Sequence, residues 1–196
     1  MTSVPARQLG GPMARRQLHY IWILDCSGSM NSSGKIQALN TALAEALPLL
    51  RAAAEENVTA DVLVRVVAFS DGARWHIAEP TAVEEFRMPP VVADGLTDLG
   101  AALALVASGL ESPPMPERAL APVLTLVSDG QPTDDFRKGL RALLASRWGG
   151  RSVRLAIAIG QDADRDVLQE FIGHGKGLVP VQANSPEAVI DAIRWA

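Results

Sequence analysis

The sequence predicts one α/β domain: a doubly wound, mostly parallel six-stranded sheet with helices on both faces and one short antiparallel edge strand. Three observations lead there. Short β-branched apolar runs alternate along the chain with stretches whose apolar residues recur every three or four positions. The runs are apolar at successive positions, as strands buried on both faces are. The 196 residues suffice for one sizeable core, and no internal repeat or low-complexity segment marks a second unit.

The elements follow in order. Residues 1–17 carry Pro5, Gly10, Gly11 and Pro12 without periodicity, so a flexible tail is expected there and a domain over 18–196. Residues 19–25 are a buried strand that stops at a Ser/Gly cluster. Ile36, Leu39, Leu43, Leu47 and Leu50 place one apolar stripe on a helix over 35–54, bent at Pro48. Residues 62–69 are a second strand, and 74–78 a short one after the Asp71-Gly72 turn. A helix over 99–110 and a strand over 122–128 come next. A helix over 134–146 has Thr133 as its candidate N-cap, and a strand over 152–159 closes at Gly160. A helix over 164–171, a strand over 178–181 and a helix opened by Ser185-Pro186 complete the chain. Right-handed crossovers then cover both faces of the sheet, and ligands of such sheets sit beyond the carboxyl ends of the strands where strand order reverses.

Composition narrows the function. Hydrophobic residues at 48% and charged residues at 20% exclude a disordered or fibrous chain. The net charge of −4 comes with no basic run, so nucleic-acid binding has no support. The lone Cys26 admits no internal disulfide, the N-terminal stretch lacks the apolar core of a secretory signal, and no apolar stretch reaches membrane-spanning length. A cytoplasmic location without membrane association is expected.

The chemistry concentrates at Asp25-Cys26-Ser27-Gly28-Ser29, where one carboxylate and two hydroxyls alternate in a tight loop. Gly28 allows the close turn that lets both serines converge with Asp25. A hard cation such as Mg²⁺ prefers oxygen ligands of this kind. Further candidate ligands lie in later loops at the same sheet edge: Thr97 in Gly95-Leu96-Thr97-Asp98-Leu99-Gly100, and Asp129 in Ser128-Asp129-Gly130. Other roles are open to these residues. The first loop could be a polar turn of Asx type, Thr97 is equally suited to capping the following helix, and Asp129-Gly130 could be a plain turn. Asp134 and Asp135 read as first-turn helix carboxylates.

Asp-x-Ser-x-Ser at Asp25, Ser27 and Ser29, followed by a loop threonine and a strand-end aspartate, resembles the metal-ion-dependent adhesion site of von Willebrand factor A domains. The resemblance covers residues 18–196. It implies that Ser27, Ser29 and Thr97 coordinate Mg²⁺, or Mn²⁺ or Ca²⁺, directly or nearly so, while Asp25 and Asp129 act largely through waters. It also implies that a protein partner supplies an Asp or Glu carboxylate to the metal. A cation held by neutral hydroxyls stays electrophilic and attracts an anion. The chain further resembles the short bacterial TerY-type members associated with tellurium resistance and stress operons, which implies a regulatory kinase or phosphatase as partner.

Other classes fit less well. A Mg²⁺-dependent phosphotransferase or phosphatase of the haloacid-dehalogenase type needs a second aspartate where Ser27 stands. No P-loop string and no Gly-x-Ser-x-Gly elbow occurs. The three histidines are scattered, which speaks against zinc, and a single thiol does not suit direct tellurite chemistry. Cys26 is expected to face the core; Trp75 and Trp148 could be exposed contacts, with partial packing under a loop the favoured alternative. Binding, not catalysis, is the expected activity.

Overall fold

The computed structural model describes residues 15–111, 115–129, 131–174 and 177–183. Among the described residues, six strands and four α-helices follow one another: β1 (Arg16–Asp25), α1 (Lys35–Glu56), β2 (Ala60–Ser70), β3 (Gly72–Ala82), α2 (Leu99–Glu111), β4 (Val123–Ser128), α3 (Phe136–Ala145), β5 (Val153–Ile159), α4 (Arg165–Ile172) and β6 (Val181–Ala183). They form one sheet in the order β3-β2-β1-β4-β5-β6. All neighbours are parallel except β2 and β3. Strand order reverses between β1 and β4, so the switch point lies beyond Asp25 and Ser128.

Alternation along β1 explains the two-sided core. Tyr20, Trp22 and Leu24 point into one cluster with Ile36, Leu39, Leu43 and Leu47 of α1. Ile21 and Ile23 point the other way, into a cluster with Leu103 of α2, Leu140 of α3 and Leu168 and Phe171 of α4. Each face buries its apolar residues against helices, as a parallel sheet requires.

Several boundaries differ from expectation, each for a local reason. β1 opens two residues before Leu18, because Arg16 and Gln17 already pair with Ala60 and Asp61. α1 runs through Pro48 to Glu56. The edge strand is not short: β3 spans 11 residues and takes in Pro80. Proline is tolerated there because an edge strand has one unpaired side, and the ladder carries register shifts between Val64 and Val67. Thr133 does not cap α3; Asp135 does, its carboxylate accepting from the Lys138 N–H. β6 begins only after Pro180, which has no N–H to give to a ladder. The helix expected from Ser185 lies outside the described residues. Trp148 is buried, and half-buried Trp75 stacks under the Arg65 guanidinium at 4.7 Å. Among the described residues, no helix is long and apolar enough to cross a membrane.

Candidate metal centre

β1 carries Asp25 to the carboxyl edge of the sheet, where the side chain is fully buried. Both of its oxygens are engaged: Oδ1 accepts from the Ser27 N–H at 2.9 Å and Oδ2 from the Ser128 hydroxyl at 2.5 Å. A 3₁₀ segment, Gly28–Gly34, then turns the chain into α1 and aims Ser29 back at the sheet. The Ser27 and Ser29 hydroxyls lie 3.0 Å apart, and Ser29 donates to Asp129 Oδ2 at 2.6 Å. Gly28 stands in close approach to the segment before α2. Its N–H donates to the Gly95 carbonyl at 2.9 Å, and a Cβ there would stand 3.1 Å from that same oxygen.

The segment before α2 is laced to this loop. Asp94 N–H donates to the Cys26 carbonyl at 2.8 Å, and the Asn31 amide donates to the Ala93 carbonyl at 2.9 Å. Thr97, largely buried, is clamped by Thr133: its N–H donates to the Thr133 hydroxyl at 3.0 Å, and its carbonyl accepts from the Thr133 N–H at 2.9 Å. The Thr133 hydroxyl donates to Asp98 Oδ1, while Asp98 Oδ2 accepts from Gly72 N–H. In the first turn of α2, the Leu99 N–H donates to the Thr97 carbonyl at 3.0 Å, and the Gly100 and Ala101 N–H groups are both taken at 2.8 Å by the Asp134 carboxylate. Asp134 therefore closes the start of α2, not of its own helix, and the Thr97 hydroxyl is left out of the cap.

Asp129, at the end of β4, is fully buried. Its Oδ2 faces Ser29 and, at 3.7 Å, the ammonium of Lys35; its Oδ1 has no hydrogen-bond partner. A buried carboxylate oxygen without a donor is costly. A dication or one of its waters would satisfy it. Burial pushes the Asp25 carboxyl above the usual range, the nearby Asp129 charge adding to the rise against the hydrogen bonds from Ser128 and Ser27. A cation between the two carboxylates would relieve that repulsion. The donors present, carboxylates and hydroxyls, are those a hard cation prefers, so the residues fit such an ion.

Cys26 faces the core beside Met30, and burial drives its thiol up to about 12, leaving no thiolate for nucleophilic or redox work. Of the residues expected from the sequence, the structure joins Asp25, Ser27, Ser29 and Asp129 in one hydrogen-bonded group and brings Thr97 to the same edge. Lys35, Ser128, Thr133 and Asp134 were not expected there. Lys35 opens α1, Ser128 ends β4 and Thr133 and Asp134 share the segment before α3, so no local spacing ties them to the first loop.

No family model and no curated protein matches this sequence. Solved structures do match. The chain is 20% identical to a von Willebrand factor type A protein from Catenulispora acidiphila over 92% of its own length and 42% of that protein's, with a TM-score of 0.65. The VWA2 paralog of ArnB from Sulfolobus acidocaldarius superposes with a TM-score of 0.59 at 19% identity, covering 91% of this chain and 44% of that one. The manganese-loaded TRAP protein of Plasmodium vivax gives 0.61 at 20%, covering 89% and 71%. The fold is that of von Willebrand factor A domains. The chain spans less than half the length of the first two proteins.

Proposed function

We propose that the chain is a protein-interaction module whose switch-point loops hold one divalent cation, Mg²⁺ or Mn²⁺, for contact with a partner's carboxylate. One observation carries this reading: the buried, unpartnered Oδ1 of Asp129 lies in a group already holding the Ser27 and Ser29 hydroxyls and Asp25. Ser27, Ser29 and Thr97 are the ligands we assign, with Asp25 and Asp129 acting largely through waters; the engagement of both Asp25 oxygens within the chain supports that indirect role. The bound cation would supply positive charge for an anionic group of the partner. The manganese carried by the Plasmodium protein of the same fold supports the choice of ion.

The full burial of Asp25 speaks against its use as a phosphoryl-accepting nucleophile, which would have to meet an incoming phosphoryl group. We further propose, on the sequence resemblance alone, a TerY-like stress-response setting in which the partner is a regulatory kinase or phosphatase. Thermal unfolding with chelator and with added Mg²⁺ or Mn²⁺ tests the metal. Ion at 100 times its dissociation constant adds about 2.7 kcal/mol, or roughly 5 to 10 °C in a domain of this size. The rise is expected in the wild type and absent in Asp25→Ala. Equal curves in chelator and metal for the wild type would overturn the reading.

A further inference from the structure

Lys35 is an unexpected group to find beside this site. It is the first residue of α1, and it is 8% exposed. Burial disfavours an ammonium, and the N-terminus of a helix carries the positive end of the dipole, which disfavours it again. Two carboxylates offset both costs. Nζ lies 3.7 Å from Asp129 Oδ2 and 3.0 and 3.3 Å from the two oxygens of Asp162, in the loop after β5. The lysine holds the Asp162 carboxyl below its usual range through that contact.

The backbone is shaped around this side chain. Ser33 and Gly34 adopt left-handed conformations, at φ 53° and 71°, immediately before Lys35. Gly160, at φ 87°, leaves the room through which the side chain passes: a Cβ there would stand 2.7 Å from Lys35 Cε and 2.6 Å from Asp162 Oδ1. Three loops thus converge on one ammonium.

Charge counting gives it a consequence. Asp25 and Asp129 bring two negative charges to the site, and Lys35 returns one positive charge within salt-bridge distance of Asp129. Among Asp25, Asp129 and Lys35 alone, a dication leaves a net positive charge, and with a neutral residue at position 35 it would leave none; Asp162, 3.0 Å from the same ammonium, offsets one further charge from the exposed side. We propose that Lys35 is a built-in counter-charge that weakens the site's hold on a bare dication and so makes tight metal binding conditional on a carboxylate from outside. Asp162, whose side chain is 64% exposed, moderates this effect by pairing with the lysine from the solvent side. The inference rests on the metal reading of the same site.

The test is titration with Mn²⁺, free ion being followed by electron paramagnetic resonance, for wild type, Lys35→Gln and Asp162→Asn, each with and without acetate as the external carboxylate. Lys35→Gln is expected to bind Mn²⁺ alone on the order of tenfold more tightly, because a unit charge a few ångströms from the ion is removed in a buried setting. Asp162→Asn leaves the lysine unpaired and is expected to bind several-fold more weakly, and acetate to tighten Mn²⁺ binding more in wild type than in Lys35→Gln. Should Lys35→Gln fail to fold, the exposed Asp162→Asn decides. Mn²⁺ bound with equal affinity by wild type and variants overturns the role of Lys35 alone. No Mn²⁺ bound by any of them, with or without acetate, overturns the metal reading and this inference together.

Discussion

The Ser29 hydroxyl donates to Asp129 across 2.6 Å and so joins the loop after β1 to the end of β4, across 100 positions of chain. Ser27 stands 3.0 Å behind Ser29, which makes Ser29 the middle of a short relay of oxygens. Ser29→Ala is expected to cost about 1 to 2 kcal/mol in urea unfolding with chelator present, since it strips Asp129 of its hydroxyl donor. It should also abolish the added stability conferred by Mg²⁺. A variant that keeps the full Mg²⁺ increment would remove Ser29 from the ligand set.

Thr97 and Asp134 separate the two roles open to the threonine. Because Asp134 takes the Gly100 and Ala101 donors in the first turn of α2, Asp134→Ala is expected to lower stability by about 1 kcal/mol, the usual worth of a helix cap. Thr97→Ala should lower stability less than that in chelator, yet weaken Mn²⁺ binding in calorimetry. A larger loss from Thr97→Ala than from Asp134→Ala, with Mn²⁺ affinity intact, would return Thr97 to a structural role.

His19 gives the fold an acid limit. It is buried in β1, neither ring nitrogen has a partner, and burial together with the nearby Arg65 charge lowers it from 6.5 to about 4. The unfolded chain therefore binds this proton more readily than the folded one between those values. Stability falls as the pH drops through that window, by on the order of 3 kcal/mol from this group. Asp25, raised by burial, contributes the opposite slope in the carboxylate range. In chelator, His19→Leu should flatten the dependence between pH 6.5 and 4; an unchanged slope would assign the acid limit to other groups.

Gly160 and Gly72 distinguish backbone strain from collision. Both have positive φ, 87° and 76°, but a Cβ at Gly72 meets nothing within 4 Å, whereas one at Gly160 meets Lys35 and Asp162. Gly72→Ala is expected to cost about 1 kcal/mol, the ordinary cost of alanine in that conformation. Gly160→Ala should cost measurably more by thermal unfolding and displace Lys35 from Asp129. Equal losses would mean that the loop yields freely around the lysine.

Much of this molecule is local information, and that part was legible without coordinates. The doubly wound sheet follows from apolar periodicity, because a strand buried on both faces and a helix buried on one stripe differ within a few residues, as 19–25 and the Ile36-to-Leu50 stripe do. Asp25, Ser27 and Ser29 were legible for the same reason: strand, glycine turn and alternating oxygens are neighbours in the chain. Local reasoning failed where a side chain serves a distant backbone. Asp134 reads as a first-turn carboxylate of its own helix and instead closes α2, and Thr133 reads as a cap and instead clamps Thr97. Lys35 reads as the polar start of a helix. Only the crossing of three loops at the switch point places its ammonium between Asp129 and Asp162, because electrostatic contact depends on distance in space and the pattern of a single chain records distance along it.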